Sequence, residues 1–500
     1  MKPSRRPSPR RATRRRTDGA PPGDVPSRQF RAAAHRVADM LADYLEGVEG
    51  YPVLPRLAPG DVRRALPGKP PMKAEPLSRI LRDYQRLIVP NTTHWNHPGF
   101  LAYFAITGSA PGILGEALAA GLNVNAMLWR TGPAATELEE LVCDWVRRMI
   151  GLPPDFRGHI NDTASMSTLV ALTAARERLA GLEIRRRGLA GRPELPQLAI
   201  YAGEQAHSSV DKAALVLGLG LENVRHIGAD AQFRMDVSQL VAALAADRAA
   251  GLKPVAVVAT AGTTSTTSVD PLRPIGEICR RAGIWFHVDA AYAGAAAVCP
   301  EFRPLFDGLD LADSVVTNPH KWLFTPVDCS VLLVRDPDAL RAAFSLVPEY
   351  LRSSEPGVTN LMDYGVQLGR RFRSLKLWMV IRAFGVAGLR QRIRYHCRLA
   401  REFAQWVQAE PGFELSAPVP FSTVNFRAVP AGSPDEQDAF NERLLSQVNA
   451  AGPVFLSHTR LRGRIVLHLA IGNLRTRREH VRRAWELVRR TAQQLSRSST

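Results

Sequence analysis

The chain of 500 residues is poor in cysteine and has no long apolar run. Its five cysteines are scattered without a Cys-x-x-Cys pair, so neither a disulfide framework nor a zinc ribbon is indicated. No stretch approaches the ~20 consecutive apolar residues of a membrane helix, and the N-terminal arginines are not followed by the apolar segment of a secretion signal. We therefore expect a cytoplasmic protein without a membrane span. Hydrophobic residues make up 45% of the chain, enough for a sizeable core.

Lysine is scarce in a chain that is otherwise strongly basic. Of the 65 basic residues only seven are lysines, so any chemistry that needs an amine has few candidates. The formal net charge is +18, and eight of the positive charges lie in residues 1–17, which contain no acid. Residues 1–29 consist largely of Arg, Pro, Ser and Gly, and this composition predicts a disordered basic tail.

Short β-branched apolar runs alternate with helix-length segments over the middle of the chain. The runs are Leu198–Tyr201, Val255–Thr260, Ile284–Val288, Ser314–Thr317 and Ser330–Val334. This alternation predicts an α/β fold with a mostly parallel, doubly wound sheet that is buried on both faces. Residues 111–388 form the predicted large domain. Helical periodicity before it predicts a helical N-terminal segment over 30–110, and the pattern after it predicts a small α+β domain over 389–500.

Chemically active side chains follow four of these runs. His207, Thr264, Asp289 and Lys321 come shortly after successive predicted strands. Because ligands bind beyond the carboxyl ends of strands in such sheets, one edge should collect all four. Lys321 is the one lysine that follows a strand at this edge; the others precede a strand or lie in helical patterns, the proline-rich connector or the tail. A partly desolvated amine at this position suits a Schiff base.

A Schiff base with pyridoxal phosphate makes three further demands, and the sequence meets each. A carboxylate must keep the ring nitrogen protonated, and Asp289 is the candidate. The phosphate needs hydroxyl and N–H groups at a helix start, which the run 162–168 supplies. His207 is suited to cover the flat face of the ring. We therefore expect pyridoxal phosphate as the cofactor and no metal site, since His94-x-x-His97 has metal-like spacing but lacks a third ligand.

Three motifs carry a resemblance to a known family. The runs NPHKW at 318–322, HVDAAY at 287–292 and AHSS at 206–209 resemble the cofactor motifs of the pyridoxal-phosphate group II decarboxylases. Within that group the chain is most similar to the aromatic-L-amino-acid decarboxylases. The similarity extends in order from about residue 30 to 490 and includes the blocks 94–98, 133–139 and 368–376. It implies pyridoxal-phosphate fold type I, a cofactor site in the large domain, and a homodimer in which segment 30–110 embraces the partner.

The resemblance also implies roles for individual residues. Lys321 would bind the cofactor through its amine, Asp289 would pair with the ring nitrogen, and His207 would stack on the ring. Further cofactor contacts would come from Ala164, Ser165, Thr264, Ala291 and Asn318. Tyr350 lies 29 residues after Lys321, where it would protonate the substrate α-carbon after CO₂ is lost. Family members that make aldehydes typically carry phenylalanine at this position.

The predicted substrate side is aromatic. Trp95, Tyr103 and Phe104 supply a wall better suited to an aryl or indolyl side chain than to a carboxylate. Further substrate-binding positions are Ile106, Met127 and Gly369, the last matching a small residue of indole-accepting plant relatives. We therefore expect an aromatic L-amino acid of the tryptophan, tyrosine, DOPA or phenylalanine class to be converted to its aryl-ethylamine and CO₂.

Three alternatives to this function stay open. The enzyme could be an aromatic aldehyde synthase, or it could decarboxylate another amino acid such as histidine or glutamate. The third alternative is a nucleic-acid-binding protein that uses the basic tail. The intact cofactor positions disfavour that third alternative.

Overall fold

The computed structural model describes residues 23–104, 106–346 and 357–498. Contacts divide the chain into two units, one comprising residues up to Gly47 with Arg56–Thr92, the other Val48–Pro55 with Thr93 onward. The first unit contains α1 (Ser27–Gly47), α2 (Asp61–Ala65) and α3 (Leu77–Asp83), and α3 continues into a π-helical turn at Tyr84–Ile88. The helical character predicted for this region is therefore present. Within the described ranges, none of the helices has the length and apolar character required to cross a membrane.

The second unit holds every strand of the described chain. The strands are β1 (Arg157–Asn161), β2 (Leu198–Gly203), β3 (Val224–Ile227), β4 (Lys253–Thr260), β5 (Trp285–Asp289), β6 (Ser314–Thr317), β7 (Ser330–Val334), β8 (Phe413–Leu415), β9 (Thr423–Ala428), β10 (Ser457–Leu461) and β11 (Arg464–Ala470). Its helices are α4 (Ala110–Leu122), α5 (Pro133–Ile150), α6 (Ala164–Glu177), α7 (Ile184–Arg187), α8 (Ser209–Val216), α9 (Val237–Ala249), α10 (Leu272–Ala282), α11 (Pro319–Trp322), α12 (Pro337–Phe344), α13 (Ser374–Ala409), α14 (Pro434–Ala450) and α15 (Arg478–Ser498).

A seven-stranded sheet in the order β1-β7-β6-β5-β4-β2-β3 forms the centre of the large domain. All five apolar runs of the sequence are strands of this sheet. β7 is antiparallel to both of its neighbours, whereas β6, β5, β4, β2 and β3 pair in parallel. The mostly parallel α/β fold predicted from the sequence is therefore confirmed, with one reversed strand that the sequence pattern did not reveal.

The large sheet is buried on both faces, as its continuous apolar runs require. Alternate residues of the central strands enter two separate hydrophobic clusters. Val257, Phe286 and Val315 pack on one face, whereas Val258 and Trp285 pack on the other. Helices cover both faces, so ligands can approach the sheet only along its edges.

A second, smaller sheet has the antiparallel order β10-β11-β9-β8. Its apolar face packs against α14, α15 and the later part of α13, with Val424, Phe426, Leu467 and Leu469 in one buried cluster. The α+β character predicted for the C-terminal region is therefore present. The predicted limits at 110/111 and 388/389 fall inside α4 and α13 respectively, and the domain limits stay predictions.

Candidate active site

Four chain segments converge at the carboxyl edge of the large sheet. The register pairs Thr260 at the end of β4 with Asp289 at the end of β5, and Asp289 with Val316 near the end of β6. The segments after β2, β4, β5 and β6 therefore emerge side by side. His207, Thr264, Asp289 and Lys321 all lie on or next to these segments. The sequence prediction that one edge collects these four side chains agrees with this arrangement.

Lys321 lies in the short helix α11, directly after β6. Its backbone N–H donates to the Asn318 carbonyl over 2.9 Å. This bond closes the tight turn that directs the side chain toward the carboxyl edge of the sheet. Its Nζ lies 5.1 Å from the centre of the Phe104 ring. Burial lowers the pKa of Lys321, and the negative charge of Asp289 opposes that effect. Burial thus shifts the half-buried amine toward its neutral, nucleophilic form.

Asp289 is the last residue of β5 and is 6% exposed. Its Oδ1 accepts the backbone N–H of Ala291 over 3.0 Å, and the Ala291 carbonyl accepts the N–H of Asn318 over 3.0 Å. These bonds connect the carboxylate-bearing segment to the lysine-bearing segment. They fix the positions of both groups relative to each other.

His207 follows β2 and is exposed. Its Nδ1 accepts the backbone N–H of Ser209 over 3.1 Å, so a neutral ring carries its hydrogen on Nε2. Partial desolvation lowers the pKa of His207; the charge of Asp289 raises it, and that of Lys321 lowers it further. The three ionisable groups therefore act on one another electrostatically, as groups at a common site do.

The start of α6 supplies an anion-binding position at the same edge. β1 runs in the same direction as β6, so its carboxyl end delivers the chain to Asp162 and Thr163. Thr163 caps the helix by accepting the Met166 N–H, and Ala164 and Ser165 form the first turn with Ser165 exposed. Exposed N–H groups and a hydroxyl at a helix N-terminus are suited to a phosphate. Thr264 is also exposed, in the loop after β4.

The donor set fits pyridoxal phosphate. Among the residues that the structure describes, Thr260 Oγ1 and Asn318 Oδ1 are buried at this edge with no hydrogen-bond partner. Buried polar atoms are normally paired, so unpaired ones at a ligand edge indicate a polar group that completes them. An amine, a carboxylate and a helix N-terminus at one edge match the aldehyde, the ring nitrogen and the phosphate of this cofactor in chemical type.

The predicted substrate residues fall into two groups. Trp95, Tyr103 and Phe104 lie together: the Trp95 and Tyr103 rings stack 6.3 Å apart, and Phe104 stacks on Tyr292 at 3.9 Å. Met127 and Gly369 form the second group through Asn125, whose Nδ2 donates to Met127 Sδ and lies near Gly369. Ile106 is half-buried. Phe104 belongs to one buried cluster, whereas Met127 packs against another. Tyr350 lies outside the described residues.

Sequence reasoning assigned no role to several residues that build the site. Tyr292 stacks between Phe104 and Trp322, and the Tyr292 and Trp322 rings lie 4.8 Å apart. Tyr292 and Trp322 belong to the motifs at 287–292 and 318–322, which could have drawn attention to them. His468 and Ser457 contact the backbone of Tyr103 from the small sheet. No motif surrounds these two residues, so no signal in a single sequence could have identified them.

His94 and His97, which have metal-like spacing, are both buried in the fold. His97 Nδ1 accepts the Gly99 N–H over 2.9 Å, and burial lowers the pKa of His97 to about 4. Across the described ranges, no group of three or more His, Cys, Asp or Glu side chains is arranged to hold a metal ion.

Comparisons with known proteins agree with this site. The model of the pyridoxal-dependent decarboxylase conserved domain matches residues 59–429. The chain is 42% identical to phenylacetaldehyde synthase of Arabidopsis thaliana, over 94% of this chain and 97% of the relative. It is 43% identical to aromatic-L-amino-acid decarboxylase of Sus scrofa, over 93% of this chain and 96% of the relative.

A solved structure shares the fold over nearly the whole chain. The crystal structure of Oryza sativa TDC with PLP and tryptamine superposes with a TM-score of 0.91 at 38% identity, covering 95% of this chain and 99% of that one. The similarity thus extends beyond the motifs to the complete architecture. The chain belongs to the pyridoxal-dependent decarboxylases, and its cofactor is pyridoxal phosphate.

Proposed function

We propose that the enzyme decarboxylates an aromatic L-amino acid and releases the aryl-ethylamine and CO₂. The observation that carries this proposal is the position of the Lys321 amine, which faces the Phe104 ring and the charge of Asp289 at one edge of the large sheet. Relatives named for aromatic amino acids or their products support the same substrate class. Bound pyridoxal phosphate supplies the electron sink that loss of CO₂ requires.

Different residues of the chain would bind different parts of this cofactor. The Lys321 amine would bind its aldehyde carbon, and the Asp289 carboxylate would keep a proton on its ring nitrogen. His207 would cover the ring, with Nε2–H left available because Nδ1 is engaged by Ser209. The remaining contacts would come from Ala164, Ser165, Thr264, Ala291 and Asn318.

The aromatic wall supports an aryl or indolyl substrate. Trp95 and Tyr103 are 37% and 55% exposed, so their rings still have faces available for contact. All three residues of this wall are aromatic, whereas a glutamate decarboxylase needs a cation facing the side-chain carboxylate of its substrate. We assign Ile106, Met127 and Gly369 to the substrate side as well. A panel of tryptophan, tyrosine, DOPA, phenylalanine, histidine and glutamate with amine detection tests the assignment, and release of amine only from glutamate or histidine would refute it.

We assign Tyr350 as the proton donor, and the presence of its phenol determines whether the product is the amine or the aldehyde. A proton delivered to the α-carbon yields the amine. Without this donor, dioxygen would take two electrons from the decarboxylated substrate, and hydrolysis would then give the aldehyde, ammonia and hydrogen peroxide. We expect Tyr350→Phe to shift the product from amine toward aldehyde, measured by chromatography of both. Unchanged amine yield would remove this role. Aldehyde as the main wild-type product would instead make the enzyme an aldehyde synthase like its Arabidopsis relative.

Lys321→Ala tests the chemistry itself. The variant should lose CO₂ release and the absorbance of lysine-bound cofactor, because it lacks the amine assigned to the cofactor aldehyde. Lys253→Ala is the matched control, since Lys253 is exposed at the opposite end of β4. CO₂ release by Lys321→Ala at the control rate would contradict the proposal.

We further propose that the enzyme is a homodimer. In the second unit, Leu114, Leu118 and Leu122 of α4 are 59%, 56% and 62% exposed and form one apolar stripe at four-residue spacing. In the first unit, Phe30 of α1 is 66% exposed. Apolar stripes of this kind on a folded chain are typical of an interface. Leu118→Glu should halve the mass measured by light scattering, whereas Val216→Glu, at an exposed site on α8, should not.

The cellular location is a separate question. Location in the cytoplasm stays a prediction from the sequence, and fractionation of the source cells would test it.

A further inference from the structure

One face of the small sheet carries a polar row across three strands. The register pairs Ser457 on β10 with His468 on β11, and His468 with Asn425 on β9. Residues paired in this way lie on the same face as direct neighbours. All three are buried, with exposed fractions of 7%, 4% and 0%. A buried polar row on the side opposite the apolar cluster of this sheet must find partners elsewhere.

Two members of the row hold the backbone of the same residue, Tyr103. Ser457 Oγ accepts the Tyr103 N–H over 3.0 Å, and His468 Nε2 lies 3.3 Å from the Tyr103 carbonyl oxygen. A carbonyl oxygen only accepts, so this second contact requires a hydrogen on Nε2, and a neutral ring then carries none on Nδ1. Burial lowers the pKa of His468 to about 4, which keeps the ring neutral. The two bonds thus fix the peptide groups on both sides of the Tyr103 α-carbon. We call Ser457 and His468 the Tyr103 clamp.

The third member of the row connects the clamp to the cofactor loop. Asn425 Nδ2 donates to the Ser265 carbonyl over 2.9 Å, whereas Asn425 Oδ1 packs 3.1 Å from His468 Nδ1 without a hydrogen between them. Ser265 follows Thr264, one of the proposed cofactor contacts, and its hydroxyl lies 2.9 Å from Thr459 Oγ1 on β10. The same face of the small sheet therefore contacts both the aromatic wall and the loop after β4.

The clamp holds a conformation that the chain would not adopt by itself. Tyr103 has φ of 52°, in the left-handed region that is unfavourable for a residue with a side chain. This turn sends neighbouring side chains in different directions: the Tyr103 ring packs near Trp95 and Phe455, whereas Phe104 stacks on Tyr292 and faces Lys321 Nζ. The aromatic wall therefore depends on external bonds that hold the backbone of Tyr103.

We propose that Ser457 and His468 are positioning residues that set the aromatic wall of the substrate site by clamping Tyr103 in its left-handed conformation. The proposal rests on the proposed function, since it takes Tyr103 and Phe104 as substrate-facing. It adds that substrate recognition depends on the small sheet, although neither clamp residue touches substrate. Loss of the clamp should weaken recognition of the aromatic side chain more than the chemistry at Lys321.

The test compares holoenzyme variants at the clamp and beside it. In His468→Leu the Tyr103 carbonyl loses its donor, and KM for the best aromatic substrate should rise roughly tenfold, with kcat within about twofold. His468→Gln keeps an N–H donor and should restore most of the affinity. His458→Leu is the matched control, because His458 is exposed on β10 next to Ser457. Ser457→Ala provides a milder second variant that changes only one hydroxyl.

Hydrogen exchange supplies a readout that does not depend on activity. The Tyr103 amide should exchange faster in His468→Leu and in Ser457→Ala than in the wild type or His458→Leu, followed by mass spectrometry of a peptide covering 100–108. Unchanged exchange, or an unchanged KM in His468→Leu, would overturn the proposal. A fall in kcat as large as the rise in KM, seen in both His468 variants, would also overturn it, because that result indicates a general structural defect. If the wild type forms no amine from any aromatic substrate, the proposed function fails while the exchange measurement still decides the clamp.

Discussion

The buried ion pair between Glu139 on α5 and Arg370 provides a sharp test of how the site is supported. Arg370 Nη2 lies 2.7 Å from Glu139 Oε1 and donates to the Ile160 carbonyl over 2.7 Å, and the same Glu139 oxygen accepts the Ile160 N–H over 2.8 Å. The two side chains are only 1% and 3% exposed. The pair therefore holds Ile160, the penultimate residue of β1, the strand that delivers the chain to the start of α6. We choose Glu139→Gln as the perturbation, because it preserves the shape and an oxygen acceptor but removes the charge.

The expected cost follows from the burial. Removing one partner of a buried pair leaves the other charge without compensation, which typically costs about 3–5 kcal/mol. Arg370 has no access to water here, and its Nη1 already lacks a partner among the described residues. The free energy of unfolding of Glu139→Gln should therefore fall by about 3 kcal/mol. Replacing both residues, in Glu139→Gln with Arg370→Gln, should cost less than the sum of the two single changes.

Urea unfolding of the holoenzyme at one fixed cofactor concentration measures this cost, since a bound cofactor shifts the midpoint by mass action. Glu140→Gln is the matched control, because Glu140 is the exposed neighbour on the same helix and should change stability by no more than about 0.5 kcal/mol. If Glu139→Gln is as stable as Glu140→Gln, or if the two single changes are additive, the pair does not support β1 as argued.

Three further changes test other parts of the structure. Burial lowers the pKa of His396 to about 4, below its unfolded value of 6.5, so its contribution to stability is complete above pH 6.5 and is lost as the pH falls toward 4. His396→Asn should unfold with a weaker pH dependence in that window, and an unchanged profile would refute this. Burial raises the pKa of Asp270 to about 6, so its effect on stability runs in the opposite direction with pH. The free energy of unfolding should fall by up to about 3 kcal/mol as the pH rises from 4 through 6. Urea titrations should find this fall absent in Asp270→Asn. Gly262 has φ of 96°, and an added Cβ would lie 2.5 Å from Ala293 Cβ, so Gly262→Ala should lower stability by about 2 kcal/mol or more, whereas Gly121→Ala, in open space, should not.

Much of the large domain could be predicted from local pattern. The β-branched runs that became β2, β4, β5, β6 and β7 are apolar on both faces, and a run of that kind has few alternatives to a buried strand. β1 was missed because its sequence, RGHIN, is short, largely polar and contains glycine. Its position depends on pairing with β7, a strand more than 160 residues away in sequence. Sequence pattern also could not show that β7 is reversed, because apolar residues are equally buried in either direction.

The sequence by itself determined which chemistry is available. The chain has few lysines, and a polar group follows each of four predicted strands. Because parallel strands bring their carboxyl ends to one edge, this pattern identifies Lys321 as the amine and Asp289 as the carboxylate of the site. Only the tertiary structure decided how the aromatic wall is held. The contacts of Tyr103 with Ser457 and His468 join residues 354 and 365 positions apart, and they depend on the register of an antiparallel sheet. A single sequence contains no local signal for such contacts, because their energy arises only once two distant segments have been brought together by burial of other residues.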